Sequence, residues 1–302
     1  MHIPDHMLNG AICPVTAIVS VVGVASATYL AVKSKEKPSS LKFAAIAALI
    51  FAAQMMNFPV QNGTSGHFLG TTLAISLLGI PFGILSVVMV VTVQCLVFAD
   101  GGLSVLGANI LNMAIAGAIP GIILNFIFKN KPLLSNLKKS LLIFLGSWLS
   151  IVLASSFCSL ELGISGTISL LKVFPAMIGI HSIIGIFEGI ITVVLFSVLF
   201  TQKIQKSEKL SIGIPVIAAG IIGLVLSPFA NGFPDGLEWI AEKYAFLHES
   251  APYFVSPFSD YTFPIINNEI LTTSFAGLLG VIITFILVLS LGLLLNLKLK
   301  KV

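Results

Sequence analysis

Nine stretches of this chain, near 13–32, 41–58, 68–82, 83–99, 105–128, 140–158, 174–201, 211–227 and 273–296, are apolar and almost free of charge. A helix needs about 20 such residues to cross the hydrocarbon of a bilayer, where each backbone polar group must find a partner inside its own segment. The runs therefore restrict the chain to one fold class, an all-α polytopic helical bundle of about nine transmembrane helices. The third run is short and meets Pro81, so it reads as a broken or partly re-entrant element. With 57% hydrophobic and only 9% charged residues, the whole chain lies far from the composition of a soluble domain.

Lysine placement orients the bundle. Cytoplasmic loops carry the excess of basic residues. Lys33, Lys35, Lys37 and Lys42 lie between the first two runs, Lys129, Lys131, Lys138 and Lys139 between the fifth and sixth, and Lys203, Lys206 and Lys209 between the seventh and eighth. Lys298, Lys300 and Lys301 follow the last run. Nine alternating spans place all fourteen on one side and only Lys172 and Lys243 on the other. The N-terminus is then outside, the C-terminus inside, and the 59–67 loop outside with the N-terminus. Acids such as Asp5, Asp100, Glu161, Asp235, Glu249 and Glu269 are expected on outer loops. The lysine-rich linker "TQKIQKSEKL" divides the chain into a seven-helix unit, 1–202, and a two-helix unit, 203–302, whose helices flank an extracytoplasmic loop at 228–272.

Several function classes drop out. All 16 basic residues are lysine, and without arginine to read bases or clamp phosphates a nucleic-acid partner is excluded. Cys13, Cys95 and Cys158 form no paired motif and read as small buried hydrophobes. No G-x-x-x-x-G-K-[ST] loop and no H-E-x-x-H helix is present, so neither P-loop ATP binding nor a metalloprotease site is indicated. Residues 1–10 carry Asp5 and no lysine, unlike the basic start of a signal peptide, so Met1 is expected to remain as the first residue.

A free terminus followed by Xaa-His is itself a chelator. The α-amine of Met1, the deprotonated amide of His2 and the His2 imidazole close a five- and a six-membered ring around one ion. A fourth nitrogen completes a square, the geometry of Ni(II) or Cu(II) rather than of tetrahedral Zn(II). His67 in "QNGTSGHFLG" faces the same compartment and is the candidate. Such ligands must be deprotonated, so binding weakens as pH falls. Pro4 keeps Ile3 extended, letting the arm fold back. Gly63 and Gly66 allow close approach, and Thr64 and Ser65 supply hydroxyls to orient His67. The residues alone leave open a plain terminal His2 and an ordinary interfacial His67.

"MHIPD", "AAQMMNFPVQNGTSGHFLG", "VQCLVFADGGLSVLGANILNMAIAG" and "HSIIGIFEGIITVVL" together resemble the CbiM/NikM substrate-capture subunits of energy-coupling-factor transporters for cobalt and nickel. "SPFANGFPDGLEWIAEK", "PFSDY" and the last apolar run resemble the PDGLE module, a small N-type accessory subunit. The resemblance implies a non-enzymatic transport subunit in a prokaryotic plasma membrane. Ni2+ or Co2+ is its transported ligand, held by Met1, His2 and His67, with no cofactor. Its implied partners are a Q-type transmembrane coupling subunit and O-type cytoplasmic ATPases. The sequence departs from the family's "MHIPDGF" at His6, which stands either as an axial donor or as a neutral variation at the mouth of the site. An ion-gradient permease is the competing reading, with Glu188 as its one candidate acid.

Four further features are expected to be structural. His181 and Glu188, seven residues apart on one helix face, should each pair with another helix. Asp100 and Asn109 are expected to satisfy backbone donors at a helix start. Pro234-Asp235-Gly236 reads first as a turn. The small residues at 23, 25, 26, 27 and 31 form a packing face, internal or for a coupling subunit.

Overall fold

The computed structural model describes residues 1–61, 63–131, 133–246 and 253–296. The helices are α1 (Ile12–Lys33), α2 (Ser40–Gln54), α3 (Thr71–Leu78), α4 (Ile80–Phe98), α5 (Leu106–Asn130), α6 (Asn136–Ile164), α7 (Leu170–Leu199), α8 (Gln202–Lys206), α9 (Glu208–Phe229), α10 (Gly236–Lys243) and α11 (Glu269–Asn296). A π-helical turn at Leu111–Ala116 interrupts α5. The only sheet among the described residues is one short antiparallel pair, Phe58–Pro59 against Ser65–Gly66.

All nine apolar stretches are helical, and the chain is a multi-pass membrane bundle. Seven of the helices are long and apolar enough to cross a bilayer, whereas α2 has 15 residues and α3 has 8. At 1.5 Å per residue these two rise only about 22 and 12 Å. Both lie in the protein interior: 12 of the 15 residues of α2 are buried. Ahead of α3, residues 64–70 are buried as well, so irregular backbone and α3 together lie inside the protein. Irregular backbone survives at such depth only when protein surrounds it.

Contacts sort the connections into two ends. At one end Thr167 Oγ1 donates to the Met7 carbonyl, Gly102 N to Ile3 O, Asn231 N to Asn57 O, and Tyr261 Oη to Asp100. At the other, Lys37 Nζ reaches Leu295 O, Asn296 bonds Ser40, and a cavity lined by Lys37, Gly79 and Lys129 opens beside the α3–α4 turn. These connections thus fall at two ends of the bundle. Lys298, Lys300, Lys301 and Glu249, part of the charge pattern above, lie outside the described residues.

Local chemistry accounts for the tightest points. Ser39 and Ser135 cap α2 and α6 through the amides of Lys42 and Lys138. The α3–α4 turn brings α3 so close that a Cβ at Gly83 would sit 2.6 Å from the Ile75 Cα. The small face of α1 splits: Ala27 and Ala31 are buried and Gly23 meets Ile115, while Ala25 and Ser26 face outward. Glu161, expected on an outer loop, lies instead in the last turn of α6, buried and bonded by Asn112 Nδ2 at 2.7 Å.

Candidate metal-capture site

The first five residues form an extended arm sealed into the protein. Ile3 is fully buried, and its N–H and C=O pair with one side chain, Asn109 Oδ1 at 2.8 Å and Nδ2 at 3.0 Å. Asp5 Oδ1 accepts from Ser104 N at 2.9 Å and Ser104 Oγ at 2.6 Å. Gly102 donates its amide to Ile3 O at 2.9 Å, and a Cβ there would collide with the Asp5 backbone. Asn109 therefore clamps the arm rather than capping α5, whose N-cap Val105 has no side-chain bond.

This clamp buries the amine of Met1. It lies 2.7 Å from His67 Nε2 and forms an ion pair with Asp235. The His67 Nδ1 faces the Phe68 carbonyl at 3.0 Å, which assigns its proton to Nδ1 and leaves the Nε2 lone pair facing the amine. Burial first, then the Met1 ammonium and His2, push the His67 pKa down to about 3, so its imidazole is neutral. His2 stacks on His67 with ring centroids 5.1 Å apart. Its Nδ1 bonds Asp100 Oδ1 at 2.9 Å, while its Nε2 is buried without a partner. Among the described residues the His2 amide N–H makes no hydrogen bond.

Two carboxylates from loops far apart in sequence flank these nitrogens. Burial raises the Asp100 pKa, but the His2 charge and the hydrogen bonds of His2 and Tyr261 outweigh it and hold it below the usual carboxylate value. Asp235 behaves alike, with the Met1 ammonium overcoming the cost of burial. Asp100 is thus no helix cap; it joins His2 to Tyr261 Oη, which donates to its Oδ2 at 2.7 Å. Asp235 is more than a turn residue. Its Oδ1 caps α10 through Leu237 N and Glu238 N, and Glu238 returns the bond to complete a capping box.

Among the described residues no group of three His, Cys, Asp or Glu side chains is placed to hold a metal ion. A metal here would draw on the main-chain nitrogens of Met1 and His2.

Residues 2–206 match the model of CbiM, the cobalt uptake substrate-specific transmembrane region, and residues 209–297 match the PDGLE domain. The chain belongs to the CbiM family. The "Putative fused nickel transport protein NikMN" of Archaeoglobus fulgidus is 36% identical over 296 residues, 95% of this chain and 96% of that one. The cobalt transport protein CbiM of Sorangium cellulosum is 28% identical over 70% of this chain and 96% of its own. A crystal structure of a truncated transition metal transporter superposes with a TM-score of 0.58 at 30% identity, covering 66% of this chain and 98% of that one.

Within this CbiM fold the hydroxyls do not act on His67 as expected. Ser65 Oγ donates to Phe233 O at 2.8 Å and its amide to Pro234 O at 2.8 Å, so it fixes the segment that carries Asp235. Thr64 Oγ1 is buried without a partner, and the Phe68 carbonyl orients His67 instead. His6 adopts a left-handed conformation, φ 66°, and packs its ring on Tyr253 at 4.4 Å. Glu188 does pair with another element, accepting from Leu69 N at 2.7 Å and Gly70 N at 3.0 Å, so it anchors the His67 loop. Nothing local in the sequence signals the Asn109 clamp. Replacing Asn109 with alanine orphans the buried Ile3 N–H, at about 1–3 kcal/mol, and leaves Ile3 O with the Gly102 amide alone. Amide exchange at residues 2–5 should therefore quicken at least about tenfold, as hydrogen–deuterium exchange would record.

Proposed function

We propose that this chain is the substrate-capture component of an ATP-driven uptake transporter of the energy-coupling-factor type for nickel or cobalt, with a slight preference for nickel. Met1, His2 and His67 hold the divalent ion. The observation that carries this reading is the 2.7 Å separation of the Met1 amine and His67 Nε2. Bonds of about 2.0 Å from a metal to nitrogen, set at a right angle, place neighbouring donors about 2.8 Å apart. The two groups already stand at the spacing of adjacent corners of a square. The unbonded His2 amide supplies the next corner and the His2 imidazole the last, once Nδ1 turns from Asp100 to the ion. Asp235 then gives up the amine, which binds only after losing its proton.

In this reading residues 1–202 are the capture domain and 203–302 the accessory module, which lays Asp235 and Tyr261 over the site. The end of the bundle that carries the arm faces outward and the lysine-rich end faces the cytoplasm of a prokaryote, as the positive-inside rule requires. The partners are a Q-type transmembrane coupling subunit and O-type ATPases, which supply the ATP hydrolysis. A permease driven by an ion gradient is disfavoured, because Glu188 commits both carboxylate oxygens to the Leu69 and Gly70 amides. Uptake that persists without the ATPases would reinstate it.

Isothermal titration of the full chain with Ni(II) and Co(II), its native Met1 verified by mass spectrometry, tests the reading. One ion per chain is expected. His67→Ala removes one of four nitrogens and should weaken binding at least about tenfold, the lower bound for even outer-shell changes. Binding unchanged by that substitution overturns the site.

A further inference from the structure

A square of nitrogens leaves the two axial faces of an ion open, and a small cavity adjoins the residues that would form this square. Beside the terminal amine is a cavity of about 10 Å³ whose walls include Met1, His67, His181, Asp235 and Gly236. That is about the room one water needs, and Met1, His67, His181 and Asp235 offer it polar partners between the apolar Leu69, Ile151 and Ile184.

His181 contributes the wall that the capture set does not use. It is 2% exposed, and its Nδ1 meets the Met177 carbonyl one turn back on α7 at 2.8 Å. That bond assigns the proton to Nδ1 and leaves a lone pair on Nε2. Among the described residues Nε2 makes no hydrogen bond. The Trp148 indole donates to Ser182 O at 2.9 Å and holds the α7 backbone beside it. A Cβ on Gly236 would come within 3.1 Å of Nε2, so the glycine leaves this edge of the ring open to the cavity. With its lone pair bordering this cavity, Nε2 is placed to accept a hydrogen bond from a water held there.

We propose that this cavity holds an axial water on the captured ion, that His181 Nε2 accepts its hydrogen bond, and that His181 thereby sets the balance between cobalt and nickel. The inference rests on the capture reading above. Four strong in-plane nitrogens satisfy d8 Ni(II), which gains little from an axial ligand. Co(II), d7, in the same square keeps an affinity for a fifth donor. His181 is a positioning residue: it holds the water that binds the metal and leaves the four nitrogens in place.

The test is anaerobic titration of the full chain with Ni(II) and with Co(II), comparing wild type with His181→Phe, His181→Gln and His67→Ala. His181→Phe fills the space without an acceptor. It should leave nickel affinity within about threefold and lower cobalt affinity by about tenfold, the scale of outer-shell effects. It should also shift the visible spectrum of the cobalt form. His181→Gln keeps an oxygen acceptor and should restore cobalt binding. Equal losses for both metals, no loss for either, or rescue by bulk alone would each overturn the axial role. Wild-type binding of both metals by His67→Ala would overturn the capture reading instead, so the two failures are distinct.

Discussion

Adding two residues ahead of Met1 is expected to weaken capture of nickel and cobalt by more than about a hundredfold, the upper scale of outer-shell losses, because a ligand itself is removed. The extension converts the Met1 amine into a peptide nitrogen, which binds a metal only after losing an amide proton far less acidic than that of an ammonium group. It also has nowhere to go. Met1 is 4% exposed, its nitrogen lies against His67 and Asp235, and the Ile3 backbone behind it is fixed by Asn109. New residues must push the arm out of its groove, which costs the Asn109 and Gly102 bonds and moves the His2 amide off its corner. A tag removed by a protease that regenerates Met1 as the first residue separates these effects from misfolding: titration should show no binding before cleavage and full binding after it. Binding that survives the extension would remove Met1 from the ligand set.

How much of this was readable in advance depends on the range of the interaction. The helical stretches and the membrane bundle they form were legible because lipid acts on each segment separately. The chelating potential of Met1 and His2 was also local. Its partner rests on less, since a spacing of 66 positions says nothing about distance: the shared compartment makes His67 the candidate, and the resemblance to CbiM/NikM adds to it. The depth of the His67 loop was hidden for the same reason: the loop is buried because Glu188, 119 positions away from Leu69, accepts its amide. Asp100 and Asn109 were read as helix caps because their near neighbours suggested a helix start, yet their partners are His2 and Ile3. Ser65 was given to His67 through adjacency, whereas its hydroxyl turns to Phe233, 168 positions on. Each of these misses is a polar side chain whose partner lies on a distant segment.

Glu188→Ala should therefore produce the largest loss of stability from any single site in the bundle. The side chain is fully buried, and its two oxygens accept the amides of Leu69 and Gly70 at the start of α3. A helix of 8 residues has little stability of its own and leaves its first N–H groups exposed. In the bundle interior no water replaces the carboxylate, so two buried donors are orphaned at about 1–3 kcal/mol each, or about 2–6 kcal/mol together. The negative charge at the helix N-terminus is lost with them. Glu188→Gln keeps a carbonyl oxygen for one amide and should forfeit about half as much. Because Gln54 Nε2 donates to Leu69 O at 2.7 Å and His67 bonds the Phe68 carbonyl, loosening residues 68–70 also tilts the His67 ring. Thermal unfolding in detergent should rank wild type above Gln and Gln above Ala, with nickel affinity falling in the same order. An alanine variant as stable as wild type would show that the loop is held by something other than Glu188.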